Sequence, residues 1–203
     1  MTRNKPCLVG LTGGIACGKS NLSAALRRYG AVVMDADEIS RSLTAPGGLA
    51  LSAIRGHFGD TVFDDGILNR RKLSDAVFKR PDELAALNSI MHPLVFQEMD
   101  RQITQNQSQT ALIADVPLLY ETGYEAFCRE VWCAWAPLQA QTARLLQRGL
   151  SREEAMLRIN SQMPAMEKAK KADRVIITTG SKEDNAQAVI RLWDDLIRRC
   201  SGV

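Results

Sequence analysis

The sequence predicts an α/β fold built on a parallel sheet of five short strands, and two observations support it. Short apolar runs recur along the chain with helical patterns between them, which is the order expected of a parallel sheet. The first run, residues 7–11, leads directly into a glycine-rich loop. A helical pattern with Leu22, Ala25 and Leu26 on one face follows the loop. This order of strand, loop and helix is typical of a phosphate-binding site.

The glycine-rich loop fits the pattern G-x-x-x-x-G-K-[ST], the P-loop. Its residues are Gly13, Gly14, Ile15, Ala16, Cys17, Gly18, Lys19 and Ser20. Glycines let backbone N–H groups approach an anion, and the start of the next helix adds partial positive charge. Lys19 is predicted to reach the β- and γ-phosphates of a nucleotide, and Ser20 to bind Mg²⁺. The plainer alternative is a glycine-rich turn, although a chance match arises in only about 1% of such chains.

The second predicted strand, residues 31–34, ends at an acidic stretch that begins with Asp35. Asp35 can be the N-cap of the next helix, with Glu38 as its capping-box partner. It can equally be a carboxylate at the C-terminal edge of the sheet, where parallel α/β folds bind ligands. Position alone leaves both interpretations open, and the two are compatible.

Residues 41–108 show no clear buried strand and are predicted to be mostly helical. Asn69 is expected to cap a helix that carries Phe78 on its apolar face. Residues 81–105 form one long helix or two, because Pro93 should break or kink the pattern. An insertion of this kind between two strands indicates a helical subdomain.

One histidine and three basic residues of this insertion are considered as candidate ligand contacts. His92 is interpreted as a packed or capping histidine rather than a catalytic one, given its apolar neighbours. Arg70, Arg71 and Lys72 form a basic cluster that is either a solvated face or an anion contact, and their spacing does not decide between the two.

The remaining strands are predicted over residues 111–116, 131–135 and 175–177. The first of them resembles a Walker B strand because four apolar residues end in Asp115, and in P-loop enzymes that Asp holds Mg²⁺. Asp115 could equally cap the next segment. Ser181 is expected to cap a last amphipathic helix.

Residues 137–172 are again helical, and their charge differs from that of the rest of the chain. Eight basic and four acidic side chains between residues 144 and 174 leave a net charge of +4. Arg144 and Arg148 are four residues apart and are expected to share one helix face. Ser151 with Glu154 predicts a capping box. The segment is either a solvated helical hairpin or a lid that closes arginines onto phosphates, and the P-loop favours the lid.

Composition limits the possible function classes. The 203 residues are 45% hydrophobic and 24% charged, as in a soluble globular protein. The net charge of +3 is too small to indicate nucleic acid or a membrane surface as a partner. The polar residues 1–6 do not resemble a secretory signal, and no apolar run is long enough to span a membrane.

The five cysteines are an odd number and form no C-x-x-C pair. They are therefore predicted to be reduced thiols in a cytoplasmic protein. Cys17 lies within the P-loop, where it is either a tolerated small side chain or a thiol whose pKa is lowered by a helix N-terminus.

Along nearly its whole length the chain resembles the dephospho-coenzyme A kinase family. The elements that carry the resemblance are Gly10-Leu11-Thr12-Gly13-Gly14-Ile15, Asp35-Ala36-Asp37, Arg71 with Leu73, Met91-His92-Pro93-Leu94, Val116-Pro117-Leu118-Leu119-Tyr120-Glu121, Arg158-Ile159, Gln162-Met163-Pro164, Lys168 and Ala172-Asp173. These elements at these spacings are far more specific than the P-loop alone.

The resemblance implies a P-loop fold like that of the nucleoside monophosphate kinases. In that fold, residues 1–40, 109–140 and 172–203 would form the nucleotide-binding core of a single kinase unit. Residues 41–108 would form the coenzyme A subdomain, and residues 141–171 the lid.

The resemblance also implies phosphorylation of the ribose 3′-hydroxyl of dephospho-coenzyme A by ATP with Mg²⁺, the last step of coenzyme A synthesis. On this interpretation Asp35 accepts the hydroxyl proton or orients the hydroxyl, and Lys19 and the loop amides hold the β- and γ-phosphates. Arg148 neutralises charge on the transferring group, with Arg144 as a second candidate. Arg71 and His92 would contact dephospho-coenzyme A.

Two departures from the family pattern stand out. Ala16-Cys17 occupy positions where Gly-Ser is usual, so Ala16 tests whether the backbone needs glycine there. Ile177-Thr178 occupy the place of Asp-Asn, which puts an Asn contact to nucleotide or backbone in doubt.

Three alternatives are weighed against this function. Another small-molecule kinase could use a nucleoside or nucleotide acceptor, but residues 41–108 are longer than such an acceptor requires. A nucleotide-switched binding protein would carry an Asn-Lys-x-Asp motif, whereas Asn4-Lys5-Pro6-Cys7 lacks the Asp. A structural protein with an inert P-loop is the least favoured. The expected partner is a small-molecule substrate, with the protein a monomer or weak homo-oligomer.

Overall fold

The computed structural model describes residues 5–78 and 80–201, and the chain divides into two compact units. Met1–Met34 and Asn106–Val203 form what we call the sheet unit, and Asp35–Gln105 form the helical unit. The sequence predictions for residues 1–6 and for Asn4 fall partly or wholly on residues 1–4, which lie outside the described residues.

The sheet has five strands in the order β2-β5-β1-β6-β7. The strands are β1 (Cys7–Gly13), β2 (Val33–Asp35), β5 (Ala111–Asp115), β6 (Glu130–Trp135) and β7 (Arg174–Ile177). The central strand β1 pairs in parallel with β5 on one side and β6 on the other, and β7 pairs in parallel with β6. Strands buried on both faces carry nearly continuous apolar runs, as the sequence shows. The predicted five-stranded parallel sheet is confirmed.

Two helices cover one part of the sheet core. They are α1 (Lys19–Arg28) and α9 (Lys182–Ser201), and the latter begins after the predicted cap Ser181, whose hydroxyl accepts from the amide of Asp184 at 3.0 Å. Their buried side chains pack with those of β1 and β6 in one apolar cluster. The guanidinium of Arg199 also pairs with the carboxylate of Glu130 at 3.0 and 3.1 Å, which fixes α9 against the start of β6.

The prediction of five reduced cysteines is wrong for two of them. Cys7 opens β1 and Cys200 lies near the end of α9, and the two form a disulfide with their Cα atoms 6.6 Å apart. The two cysteines are separated by 193 residues, so no local sequence pattern could predict the disulfide. Cys17, Cys128 and Cys133 remain thiols.

Three shorter helices complete the sheet unit between β6 and β7. They are α6 (Leu138–Gln147), α7 (Arg152–Asn160) and α8 (Ala165–Lys171). The predicted capping box is present at the start of α7, where the Ser151 hydroxyl accepts from the Glu154 amide and the Glu154 carboxylate accepts from the Ser151 amide.

The helical unit contains four α-helices, one 3-10 helix and a small hairpin in its described residues. The α-helices are α2 (Ala36–Leu43), α3 (Leu51–Phe58), α4 (Arg70–Val77) and α5 (Pro81–Gln105), the 3-10 helix is Asp60–Val62, and the hairpin strands are β3 (Phe63–Asp64) and β4 (Ile67–Leu68). Its buried side chains include Ile39, Ile54, Leu73 and Met99. The Asn69 side chain caps α4 by accepting from the amides of Arg71 and Lys72, as predicted.

The structure differs from the sequence predictions for this unit in two places, and in a third it selects one long helix over residues 81–105 from the two alternatives. The antiparallel hairpin β3–β4 was not predicted, because strands of two residues are too short for a periodic signal. Phe78 lies beyond the end of α4 and is 61% exposed rather than packed inward. Pro93 does not break the helix: α5 runs through it for 25 residues, long enough to absorb one missing hydrogen bond.

Among residues 5–78 and 80–201, the helices are all too short or too polar to cross a membrane.

Gly48 and Gly56 provide a matched test of packing within the helical unit. A Cβ at Gly48 would overlap the carbonyl of Leu43, whereas a Cβ at Gly56 in α3 would meet nothing within 4 Å. We expect Gly48→Ala to lower the free energy of unfolding by about 1–3 kcal/mol through overpacking. Gly56→Ala should raise it by about 0.5–1 kcal/mol, since alanine favours the helix. Urea unfolding measures both, and equal midpoints would contradict the expected clash.

Candidate active site

The P-loop connects the end of β1 to the start of α1 and turns tightly around its own backbone. Gly18 is left-handed with φ 81°, and the amide of Cys17 donates to the carbonyl of Gly14 at 3.1 Å. A Cβ at Gly13 would lie 2.6 Å from the carbonyl oxygen of Ala134 on β6, so this position accepts only glycine. The loop therefore has the conformation that a phosphate-binding turn requires.

Ala16 is one of two described non-glycine residues with positive φ, at 58°. A left-handed alanine costs about 1–2 kcal/mol relative to the usual conformation. Two contacts offset that cost: the Ala16 side chain packs with Leu145 and Ala155, and the Ala16 carbonyl accepts from Nη1 of Arg144 at 2.9 Å. This backbone position prefers glycine without requiring it.

Cys17 is a core thiol. Its side chain is 1% exposed, and burial raises its pKa despite hydrogen bonds to the backbone of Ala136 and Gly14 that lower it. The hypothesis of a lowered pKa is therefore wrong, and the tolerated small side chain is the interpretation that holds. The physical reason is desolvation, because a buried sulfur has lost the water that would stabilise the thiolate.

Lys19 forms an ion pair with Asp115 at the C-terminal edge of the sheet. Asp115 is the last residue of β5, opposite Leu11 of β1, and its side chain is 2% exposed. Parallel pairing thus brings the end of β5 beside the P-loop lysine. The Asp115 carboxylate and the exposed Ser20 hydroxyl are oxygen donors, the ligand class that Mg²⁺ prefers.

Thr178, the residue that follows β7, bonds to the P-loop. Its hydroxyl donates to the carbonyl of Cys17 at 2.7 Å, and its amide donates to the carbonyl of Trp135 at 2.9 Å. Arg144 of α6 donates to both the carbonyl and the hydroxyl of Thr178. Thr178, which stands where the resemblance leads us to expect Asn, therefore contacts the P-loop backbone. Sequence reasoning did not assign this role, because Thr178 and Cys17 are 161 residues apart and no local signal connects them.

Arg144 and Arg148 differ in their surroundings. The Arg144 guanidinium donates to Ala16 and Thr178, so the protein backbone uses several of its N–H groups. Arg148 is the C-cap of α6, one residue beyond the helix, and is exposed.

Asp35 caps α2, as one of its two interpretations predicted. Its Oδ1 accepts from the amide of Asp37 at 2.9 Å and from the amide of Glu38 at 3.0 Å. These bonds fix the orientation of the carboxylate at the end of β2.

The other candidates of the helical unit lie on α4 and α5. His92 is half-buried and stacks on Phe96 with ring centroids 6.2 Å apart, and burial lowers its pKa below the usual 6.5. It therefore behaves as a packed, neutral histidine at pH 7. Arg70 donates to the carbonyl of Arg41 at 3.0 Å, whereas the side chain of Arg71 is exposed.

The geometry thus brings Lys19, Asp115, Arg144 and Thr178 together around the P-loop within the sheet unit. The sequence model for dephospho-CoA kinase matches residues 7–184.

The chain belongs to the dephospho-CoA kinase family.

Relatives and solved structures agree with this assignment. A dephospho-CoA kinase from Symbiobacterium thermophilum is 44% identical over 190 residues, which cover 92% of this chain and 80% of the relative. The crystal structure of TT1252 from Thermus thermophilus superposes with a TM-score of 0.83 at 33% identity, covering 95% of this chain and 99% of that one. Dephospho-CoA kinase from Campylobacter jejuni has a TM-score of 0.64 at 25% identity, covering 95% and 98%.

Removing the Thr178 hydroxyl should weaken nucleotide binding. Thr178→Val has nearly the same shape but loses the bond to the Cys17 carbonyl and the acceptor for Arg144. We expect the Kd for ATP, measured by calorimetry, to rise about tenfold, the effect of one to two lost hydrogen bonds. Thr178→Ser should recover most of the affinity. Exposed Thr179→Val is the control, and an equal Kd for both valine variants would contradict the role of Thr178.

Proposed function

We propose that this protein transfers the γ-phosphoryl group of ATP to the ribose 3′-hydroxyl of dephospho-coenzyme A, giving coenzyme A and ADP. The match to the dephospho-CoA kinase family over residues 7–184 is the observation that carries the proposal. The P-loop, with its lysine held at the sheet edge, supplies the phosphate-binding half of that chemistry. Another small-molecule kinase with a nucleoside acceptor is not favoured by this family match.

The donor site consists of the P-loop and its supports. The loop amides and Lys19 bind the β- and γ-phosphates, which places the ammonium between phosphate and the Asp115 carboxylate. Ser20 would hold Mg²⁺, which neutralises phosphate charge when bound. Residues 13–18 line this site with backbone rather than with reactive side chains.

On the acceptor side, Asp35 orients the 3′-hydroxyl or takes its proton. The hydroxyl oxygen forms a bond to the γ-phosphorus while the bond to the bridging oxygen of ADP breaks, and the released proton goes to the carboxylate. Because capping fixes Asp35, little reorganisation is needed at that carboxylate. Arg71 and His92 are assigned to coenzyme A contacts within residues 41–108.

Arg148 is the better candidate for a lid arginine than Arg144. The Arg144 guanidinium is already bonded to the backbone at Ala16 and Thr178, whereas Arg148 is exposed at the end of α6 within residues 141–171. We therefore assign Arg148 to charge neutralisation on the transferring group and Arg144 to support of the P-loop. The cytoplasmic location and the monomeric or weakly oligomeric state stay predictions.

An acceptor panel tests the proposed function. The protein is incubated with ATP and Mg²⁺ and with dephospho-coenzyme A, adenosine, AMP or shikimate, and ADP release is followed. Turnover should be confined to dephospho-coenzyme A, with coenzyme A as the product by mass spectrometry. Turnover of a nucleoside without turnover of dephospho-coenzyme A would refute the proposal.

Replacement of Asp35 by Asn separates its two roles, because Asn is as good an N-cap as Asp. We expect Asp35→Asn to keep the free energy of unfolding and the Kd for ATP while turnover falls by about 10²–10⁴-fold. Asp35→Ala should also lose about 1 kcal/mol of stability with the cap. Turnover of Asp35→Asn near the wild-type rate would restrict Asp35 to capping.

Arg148→Ala should lower kcat with little change in the melting temperature, since the side chain is exposed and its charge is needed in the transition state. A fall of about 10–100-fold would be in keeping with the loss of one such charge. Exposed Arg152→Ala removes the same charge from the same segment and serves as the control. Equal rates for the two variants would argue against Arg148.

A further inference from the structure

One lysine that the proposed reaction does not use is completely buried in the sheet unit. Lys168 of α8 is 0% exposed, and its ammonium donates to the carbonyl of Pro117 at 2.6 Å. The same ammonium pairs with Oε1 of Glu121 at 2.8 Å. Lysine is rarely buried in this way, because removing its charge from water is costly unless partners compensate. A long apolar side chain would fill the same space, so the charge calls for an explanation.

Both acceptors of Lys168 have a second donor from elsewhere in the chain. The Pro117 carbonyl also accepts from the hydroxyl of Thr12 at 3.1 Å. Oε1 of Glu121 also accepts from the amide of Met163 at 3.0 Å. One ammonium therefore connects the residue before the P-loop, the segment that follows β5, and the junction between α7 and α8.

Each of these connections ends near a group of the phosphate site. Thr12 directly precedes Gly13 of the P-loop, and Pro117 lies two residues after Asp115, the partner of Lys19. The amide of Val116, which lies between Asp115 and Pro117, donates to the carbonyl of Leu11 at 3.0 Å. Lys168 thus closes a small network at the ends of β1 and β5, where the Lys19–Asp115 pair forms.

The network also reaches the segment assigned to the lid. Met163 is part of the short connection between α7 and α8, and Lys168 itself belongs to α8. The Glu121 carboxylate thus receives one bond from the connection and one from the helix that follows it. An apolar side chain at position 168 would donate to neither the Pro117 carbonyl nor the Glu121 carboxylate.

We propose that Lys168 is a positioning residue for phosphoryl transfer. Its buried charge holds the ends of β1 and β5 in register, so that Lys19 and Asp115 meet, and anchors the α7–α8 connection to the same point. The inference rests on the proposed function for its kinetic consequence, although the network itself belongs to the fold.

Lys168→Met tests the role of the charge, because methionine matches the length of the lysine stem. We expect kcat per folded molecule, measured well below the melting temperature, to fall about ten- to a hundredfold with a smaller change in the KM for ATP, the cost of a displaced catalytic group. Lys168→Arg, which keeps the charge, should recover part of kcat. Lys170→Met removes an exposed lysine of the same helix, paired with Glu167, and should leave kcat unchanged.

Glu121→Gln keeps the proposal testable if Lys168→Met does not fold, since it removes only the negative charge of one partner and leaves the Pro117 carbonyl in place. Hydrogen exchange of the Val116 and Met163 amides should be faster than in the wild type in either variant, and this readout needs no substrate. Unchanged exchange, or an unchanged kcat with only a lower melting temperature, would overturn the positioning role. If the wild-type protein uses another acceptor, the proposed function fails, while exchange and kcat with that acceptor still decide the role of Lys168.

Discussion

The ion pair between Lys19 and Asp115 is the interaction on which the architecture of the site depends. It exists because two neighbouring parallel strands end at the same edge, one continuing into a P-loop and the other ending in a carboxylate. A lysine at this position would otherwise be free to adopt many rotamers. The pair restricts them before any nucleotide arrives, which lowers the entropy that binding must supply. The pairing of β1 with β5 therefore orients the ammonium group of Lys19.

Residues outside the P-loop support its backbone. The loop contains a left-handed alanine, Ala16, and a buried cysteine, Cys17. Arg144 and Thr178, from α6 and from the end of β7, bond to the carbonyls of these two residues. The departures at residues 16–17 and 177–178 thus meet in space, and the second supplies a contact that suits the first.

Local chemistry explains which parts of the fold were predictable from sequence. Asn69 and Ser151 were recognised as caps because a cap acts on amides within three residues, and the P-loop likewise spans eight positions. Lys168 belongs to the family resemblance, but its burial and its partners could not be predicted, since Pro117 lies 51 residues away in the sequence. The disulfide between Cys7 and Cys200 was not predicted for the same reason, since the two residues are 193 positions apart. Candidate site residues could be named from motifs, but their partners required the folded chain.

The bond between Cys7 and Cys200 gives the chain an unusual property during synthesis. Its two cysteines are separated by 193 residues, so the bond cannot guide the folding of the segments that are synthesised before Cys200. It can form only after β1 and α9 have come together in the folded protein. Once the bond has formed, the backbone from Cys7 to Cys200 is a closed ring, and tension applied across these two residues would pass through the sulfurs instead of unfolding the sheet.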